Sequence, residues 1–307
     1  MQQFVRKFAL FVIACTTLLP VTWAYAESAL VFKGCSIIRR AFMSEAAAAY
    51  EQATGRHIDV MGGGATLGIR ATAAGDSDIG GSCRPALPER FPAELGVKLT
   101  RIGWDALAFI THPSNPVDSI TLAQAKAVLQ GQIDNWAVLG GPDRRLIAIF
   151  RSQVPESGGK YSGVGHMTRV MLFNDPEYNF TEKALFFRHS AEVEEAIENI
   201  PYAFGVTGVS SALKRDVKIL RLNGVEPSRE EIVKARYPLF RPLYLVTRGA
   251  PQGEVADFID WLTGEAGQQV VALQGTVTLQ EGRALEAKYR YWPARDLLTN
   301  PPGNLHR

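Results

Sequence analysis

Three consecutive glycines at residues 62–64 form the motif with the clearest chemistry in this chain. They follow the alternating strand pattern of residues 57–61, and a helix is predicted to begin near Thr66. Because glycine lacks a Cβ, several backbone N–H groups can converge on one point, towards which the helix directs its positive end. Gly64, Ala65 and Thr66 are therefore predicted to bind an oxyanion.

A second candidate segment for oxyanion binding lies at residues 78–84, which read Asp-Ile-Gly-Gly-Ser-Cys-Arg. It places Cys83 and Arg84 just after a short predicted strand. Arg84 is followed by a proline, so it either faces a ligand or ties down the loop that it begins.

Arg151 is the candidate anion clamp of the second half of the chain. It ends the apolar strand pattern of residues 146–150 and precedes a loop with Ser157, Gly158 and Gly159. A guanidinium at a strand end binds an oxyanion through charge-assisted hydrogen bonds. The alternative is a surface ion pair.

Short strands and amphipathic helices alternate along the chain. Apolar spacing and capping patterns indicate the helices, and alternation or short apolar runs indicate the strands. Such alternation is typical of α/β folds, whose ligands bind outside the carboxyl ends of strands. The predicted strands are 30–32, 58–61, 78–80, 104–111, 146–150, 202–206 and 243–246, and the predicted helices are 38–53, 121–129, 190–199, 255–262 and 266–273.

Composition and charge exclude some classes of function. The chain has 307 residues, 33 basic and 31 acidic side chains, and 46% hydrophobic residues, typical of a globular protein with substantial cores. Residues 1–26 match a cleaved secretory signal peptide, with membrane anchoring or lipoprotein processing at Cys15 as alternatives. Removing this segment takes away Arg6 and Lys7 and leaves a net charge near zero. Nucleic acid is therefore disfavoured as a partner.

No common catalytic or metal-binding motif is present in the sequence. The five histidines lack metal-ligand spacing, and there is no Cys-x-x-Cys pair, Walker loop or Gly-x-Ser-x-Gly elbow. We therefore expect a binding protein without cofactor or metal rather than an enzyme. The alternatives are a nucleophile at Cys83 and a structural or adhesive protein.

Five stretches together resemble the phosphate-binding proteins of periplasmic phosphate ABC transporters, in the type II periplasmic-binding-protein superfamily. The resemblance covers roughly residues 30–280. It rests on Gly-Cys-Ser at 34–36, the glycine turn at 62–69, the segment 78–84, the run 104–136 with its His-Pro-Ser-Asn-Pro, and the segment 223–244 with Asn-Gly-Val-Glu-Pro-Ser and Arg-Pro-Leu-Tyr.

The resemblance implies an α/β fold of two lobes, each a mixed sheet flanked by helices, with two crossing strands as hinge. Lobe 1 would comprise residues 27–112 and 241–280, lobe 2 residues 113–240, and residues 281–307 a C-terminal extension. A monomeric periplasmic protein would close its cleft over phosphate or a similar oxyanion and deliver it to a membrane ABC permease. Neutral donors and one arginine would hold the anion without a metal.

Carried over by position, the resemblance also implies the ligand site. Ala65 stands where the family usually has serine, and Cys83 stands where it has aspartate or serine. The family's arginine is followed by Ser-Gly-Thr, whereas Arg151 is followed at a longer spacing by Ser-Gly-Gly, without the threonine. Because an acceptor carboxylate favours a protonated oxyanion, a divergent orphan or sensory protein for another small anion stays open. The implied residues are Cys35, Ser36, Gly64, Ala65, Thr66, Cys83, Arg84, Arg151, Ser157, Gly158 and Gly159.

Cys35 and Cys83 are the two cysteines that remain after removal of the signal peptide. In the implied fold their loops follow neighbouring strands, within reach of each other. The resemblance thus leads us to predict a disulfide on the floor of the cleft, as oxidising compartments allow. The alternative is a pair of small buried residues that never bond.

Overall fold

The structure is a computed structural model that describes residues 29–154 and 159–290. The predicted signal peptide and Cys15 lie outside these residues. The strands are β1 (Leu30–Gly34), β2 (Ile58–Gly62), β3 (Ile79–Ser82), β4 (Val97–Thr111), β5 (Ser119–Ile120), β6 (Ile147–Arg151), β7 (Leu185–Phe187), β8 (Ala203–Gly208), β9 (Lys218–Ile219), β10 (Arg221–Leu222), β11 (Phe240–Arg248) and β12 (Val277–Thr278). The helices are α1 (Ser36–Ile38), α2 (Ser44–Thr54), α3 (Ala65–Ala74), α4 (Leu122–Leu129), α5 (Gly163–Phe173), α6 (Ser190–Asn199), α7 (Val209–Ala212), α8 (Arg229–Val233), α9 (Gly253–Thr263), α10 (Glu265–Leu273) and α11 (Arg283–Arg290).

One long strand, β4, is shared by two halves of the main sheet. The strands lie in the order β2-β1-β3-β11-β4-β8-β6-β7. Residues 97–106 of β4 pair with β11, and residues 107–111 pair with β8. We call the part built on β1–β3, β11 and residues 97–106 lobe 1, and the part built on β6–β8 and residues 107–111 lobe 2. The predicted architecture of mixed sheets flanked by helices is confirmed, whereas the predicted lobe boundaries stay a prediction.

In each lobe, parallel pairing places the carboxyl ends of the strands that precede the predicted site residues at one edge of the sheet. In lobe 1, β1 lies between β2 and β3 and runs parallel to both. In lobe 2, β6 runs parallel to β7 and β8. The carboxyl ends of these strands are the places where α/β folds bind ligands. The glycine turn, the thiols and Arg151 each follow or end one of these strands.

The first helix of lobe 1 leads away from the end of β1. Helix α1 continues through a π-helical segment, Arg39–Met43, directly into α2. Gly55 ends α2 with φ of 76°, a left-handed conformation that glycine adopts without steric cost. Tyr50 on the buried face of α2 packs edge-on against Phe258 of α9, with 5.1 Å between ring centroids. This packing anchors the helix on lobe 1.

Two local predictions differ from the structure. Helix α5 was not predicted, because Gly163 and Gly165 lower the helix propensity of its first turn. The predicted helix 190–199 begins at Ser190, which the sequence pattern suggests as its cap, whereas in the structure His189 is the cap residue. The Ser190 hydroxyl instead accepts a hydrogen bond from Arg151, 3.2 Å away, because β6 brings that guanidinium to the start of α6.

The described part of the C-terminal extension packs on lobe 1. Tyr289 of α11 contacts the buried Trp104, with 5.8 Å between ring centroids, and Glu286 forms an ion pair with Arg101. Residues 291–307 lie outside the description.

A buried carboxylate ties the two lobes together behind the cleft. Glu194 of α6 has no exposed surface and forms an ion pair with Arg40 of lobe 1. It also accepts a hydrogen bond from Thr207 and lies 3.6 Å from Arg215. These contacts satisfy a charge that would otherwise be costly to bury.

Glu194→Ala is expected to destabilise the protein by about 3 kcal/mol, because it leaves two arginines without their buried partner. For a chain of this size that loss lowers the melting temperature by roughly 6–12 °C. Glu195→Ala, on the exposed face of the same helix, is the matched control and should shift the melting temperature by less than about 2 °C. Equal melting temperatures for the two variants would contradict the role of Glu194.

Candidate functional site

The two thiols lie side by side at the ends of neighbouring strands. Gly34 of β1 is in register with Gly81 of β3, so the residues that follow these strands emerge together. The Sγ atoms of Cys35 and Cys83 are 2.9 Å apart, and both residues are buried free thiols. The structure thus places the thiols within reach of each other. The disulfide between them stays a prediction.

The glycine turn places backbone that carries no side chains beside the two thiols. Gly64 has φ of 109° and is the cap residue of α3, which begins at Ala65. Its N–H donates to the carbonyl of Gly34 over 2.9 Å, which joins the turn to the end of β1. A side chain at Gly64 would be strained by this backbone conformation. The start of α3 is therefore held beside Cys35 and Ser36.

Helix α5 of lobe 2 presents its N-terminus to the thiols of lobe 1. A Cβ built on Gly163 would lie 2.1 Å from Sγ of Cys83 and 3.4 Å from Cβ of Ala65. Glycine is thus required for this approach of the two lobes. Ser162 caps α5 by accepting a hydrogen bond from the N–H of Gly165 over 2.9 Å.

The starts of three helical segments therefore meet around the thiol pair. These are the continuous helix that begins with α1, helix α3 and helix α5. None of the three carries an acidic residue in its first turn. Their free N–H groups and aligned dipoles create a region of positive potential that favours an anion.

Arg151 adds a buried positive charge from lobe 2. The residue is only 5% exposed, and its Nη1 donates to Ser190. Its Nε has no hydrogen-bond partner, and no carboxylate lies within ion-pair distance of it among the described residues. Burial lowers the pKa of Arg151 to about 10, whereas negative charge on Cys35 or Cys83 and the carboxylate of Glu192 raise it. The thiols are thus close enough for their charge to affect the guanidinium.

The pKa values of the two thiols are shifted in opposite directions by their surroundings. Burial raises the pKa of Cys35, but the hydrogen bond with Cys83, the charge of Arg241 and the N–H groups of Ile38 and Ile37 outweigh it. The pKa of Cys35 is consequently lowered from 9.0 to about 7. Burial and the hydrogen bond with Cys35 raise the pKa of Cys83 well above its ordinary value. Cys35 is thus the thiol that ionises near neutral pH.

Arg84 is fully buried, and its hydrogen bonds give it a structural role. Both of its terminal nitrogens bond the carboxylate of Glu94, at 2.7 and 2.9 Å, and Nε donates to the carbonyl of Tyr161 over 2.6 Å. The remaining donors bond the carbonyl of Pro85 and the hydroxyl of Thr66. Because every N–H of this guanidinium already has an acceptor, direct contact of Arg84 with an anion would break one of these bonds.

Thr66 and Arg241 also join the lobes. The Thr66 hydroxyl donates to the carbonyl of Tyr161 over 3.1 Å. Arg241 donates to the carbonyl of Gly163 and forms an ion pair with Asp105, both at 3.1 Å. These contacts hold the start of α5 against lobe 1, so the structure has its lobes closed.

The predicted loop after Arg151 is only partly described. Ser157 and Gly158 lie outside the described residues. Gly159 lies against Ser152, because a Cβ there would be 2.4 Å from the Ser152 carbonyl oxygen. Sequence reasoning missed Ser162, Gly163 and Ser190. The serine before a glycine-containing segment at residue 162 was the one available signal.

The described residues give no sign of a metal site or a membrane span. They contain no group of three or more side chains suited to hold a metal ion. Within residues 29–154 and 159–290, no helix is long and apolar enough to cross a bilayer.

The fold is that of a two-lobed binding protein, and the residues where its lobes meet form a candidate anion site. Residues 40–266 match the PBP superfamily domain, so the chain belongs to that superfamily. A phosphate-binding protein of Borreliella burgdorferi, PstS, is 32% identical over 59% of this chain. The alignment spans 66% of that relative, just under two thirds of its length.

Two further likenesses cover more of the chain. The phosphate-binding protein PstS of Bacillus subtilis is 25% identical over 83% of this chain and 82% of its own length. A solved structure of a candidate phosphate ABC transporter substrate-binding protein from Clostridium perfringens, with bound phosphate, superposes with a TM-score of 0.74. It is 26% identical and covers 82% of this chain and 100% of its own. These similar proteins are substrate-binding proteins.

Proposed function

We propose that this chain is a periplasmic solute-binding protein that captures inorganic phosphate between its lobes for a membrane ABC permease. Its similarity to phosphate-binding proteins over most of its length supports the proposal. It binds rather than transforms its ligand, and it acts as a monomer after removal of residues 1–26.

The observation that carries the proposal is the buried guanidinium of Arg151, which has no ion-pair partner among the described residues. A buried charge without a counterion is strongly unfavourable, so a bound anion supplies what the protein lacks there. Arg151 bonds only the neutral Ser190 among the described residues, whereas the other buried arginines of the site have carboxylate partners in Glu94 and Asp105. Two phosphate oxygens in bidentate contact with the guanidinium of Arg151 would complete the pair.

The remaining oxygens of the anion would bond neutral donors. The N–H groups at the starts of α1, α3 and α5 come from both lobes, so bonding them favours closure. Neutral donors also keep the attraction moderate, which lets a permease recover the anion when the lobes open. The loop with Ser157, Gly158 and Gly159 follows Arg151 and would supply further donors.

Thermal unfolding in anion-free buffer tests this function. Phosphate at 100 times its dissociation constant is expected to stabilise the protein by about 2.7 kcal/mol, which raises the melting temperature by roughly 5–10 °C. Sulfate and chloride at the same ionic strength are the controls. A rise with sulfate alone would assign the cleft to another oxyanion, and no rise with any of a panel of oxyanions would contradict the proposal.

A further inference from the structure

We propose that Cys35 and Cys83 form a redox site that sets the anion affinity of the cleft. In the dithiol state the pair weakens anion binding above neutral pH, and in the disulfide state that weakening disappears. This inference rests on the proposed anion-binding function. It goes beyond a structural disulfide, because the two oxidation states are expected to differ in function.

The geometry suits reversible bond formation. The sulfurs are 2.9 Å apart, and a disulfide bond is about 2.05 Å long, so a shift of about 0.9 Å joins them. The Cys35 thiolate attacks the disulfide of an oxidant, a protein or low-molecular-weight disulfide, and releases one oxidant thiolate. Cys83 then loses its proton to solvent and attacks the Cys35 sulfur, which releases the second. Two thiols lose two electrons and two protons, and the oxidant disulfide becomes two thiols.

The charge of the dithiol state opposes an anion. Cys35 is the thiol that ionises near neutral pH, and the N–H groups of Ile37 and Ile38 at the helix start favour its thiolate form. A bound anion would use the same helix start and the same Arg151. Thiolate and anion therefore compete for the donors and repel each other. A disulfide carries no charge, so oxidation removes this competition.

Among residues 29–154 and 159–290, no charged group around the thiols would reverse this sign. Arg241 from β11 and Arg151 from β6 are the positive charges that act on the pair, and Asp105 from β4 is the negative one. Asp105 is already bonded to Arg241 and Ser210. His166 of α5 stays neutral near pH 7, because burial and nearby arginines hold its pKa well below the usual value. The thiolate of Cys35 is thus the group that changes charge at neutral pH.

Lobe closure and oxidation are also linked through Gly163. Cys35 is 4% exposed and Cys83 is fully buried, with Gly163 of lobe 2 directly against the Cys83 sulfur. A disulfide reagent therefore reaches the pair only when the lobes open, as hinged binding proteins do. A bound anion that holds the lobes closed should therefore slow the reaction of both thiols with such a reagent.

The test compares phosphate dissociation constants of the full mature protein, reduced with dithiothreitol or oxidised with glutathione disulfide and then freed of reagent. Thiol counts verify each state. The two states should agree at pH 6. The reduced protein should bind about tenfold more weakly at pH 8, because the proposed competition lets only the protonated form bind the anion, and a pKa of about 7 leaves about a tenth of Cys35 protonated at that pH. Because phosphate ionises identically in both samples, its own titration cancels in the ratio.

Two variants separate the pH effect from the redox effect. C83S keeps the thiolate of Cys35 and should retain weaker binding at pH 8 relative to C35S. With glutathione disulfide, C83S should stop at a mixed disulfide that adds the mass of one glutathione, because the resolving thiol is absent. C35S should not react, because the pKa of its remaining thiol, Cys83, is raised. C35S should match the pH dependence of the oxidised wild type. Equal affinity of reduced and oxidised wild type at pH 8, or two thiols that survive oxidation without phosphate, would overturn the redox site and leave the proposed function standing. Absence of phosphate binding in every state would overturn both.

Discussion

Arg151→Met is expected to weaken phosphate binding by at least about 100-fold, because it removes a buried positive charge of the cleft that has no ion-pair partner among the described residues. Methionine approximates the length of the arginine side chain, so little cavity is left behind. Without ligand, the variant should unfold at the same or a slightly higher temperature, because an uncompensated buried guanidinium is costly. The expected combination is lost phosphate response with an intact fold.

Arg145→Ala is the matched control for this substitution. Arg145 lies just before β6, at the opposite end of the strand that Arg151 ends, and its side chain is exposed. Removing it lowers the net charge by the same amount. Calorimetric titration of both variants with phosphate should therefore give near-normal affinity for Arg145→Ala only. Similar affinities for the two variants would show that Arg151 does not bind the anion.

Gly163→Ala is expected to weaken phosphate binding by at least about tenfold through incomplete closure of the lobes. The new Cβ would lie 2.1 Å from the Cys83 sulfur, far inside van der Waals contact. Because the clash is between lobes, opening the cleft relieves it. The melting temperature of the unliganded variant should then change by only about 1–2 °C.

A double-mutant cycle with Cys83→Ala tests this cause. Removing the sulfur makes room for the new methyl group, so Gly163→Ala should cost little phosphate affinity in the C83A background. The other close neighbour, Cβ of Ala65, is 3.4 Å away, which needs only a small adjustment. An equal loss in both backgrounds would mean that the substitution acts within α5 rather than through the thiol.

The positions of those site residues that lie at strand ends could be predicted from the sequence. The glycine turn, the cysteines and Arg151 lie at the ends of predicted strands, and the pairing of β1 with β3 brings Cys35 and Cys83 together. These positions depend on local patterns and on one strand order. Their roles as ligand contacts stay a prediction.

The rest of the site depends on contacts between distant parts of the chain. In the sequence, Arg84 has the features of a residue that binds an anionic ligand. Only the folded structure shows that its N–H groups already donate to Glu94 and Tyr161. Gly163 and Gly165 obscure the start of α5, although Gly163 is required where this helix meets Cys83. The sequence pattern suggests Ser190 as a helix cap. It cannot show that Arg151, far away in the chain, donates a hydrogen bond to the Ser190 hydroxyl. Tertiary packing overrides local propensity at these residues.

A structure of the protein crystallised with phosphate is the most direct measurement of the central claim. The expected result is one phosphate with two of its oxygens on the guanidinium of Arg151, and with the others on N–H groups at the starts of α1, α3 and α5. Phosphate bound elsewhere, or a protein carboxylate in place of the anion on Arg151, would contradict the claim.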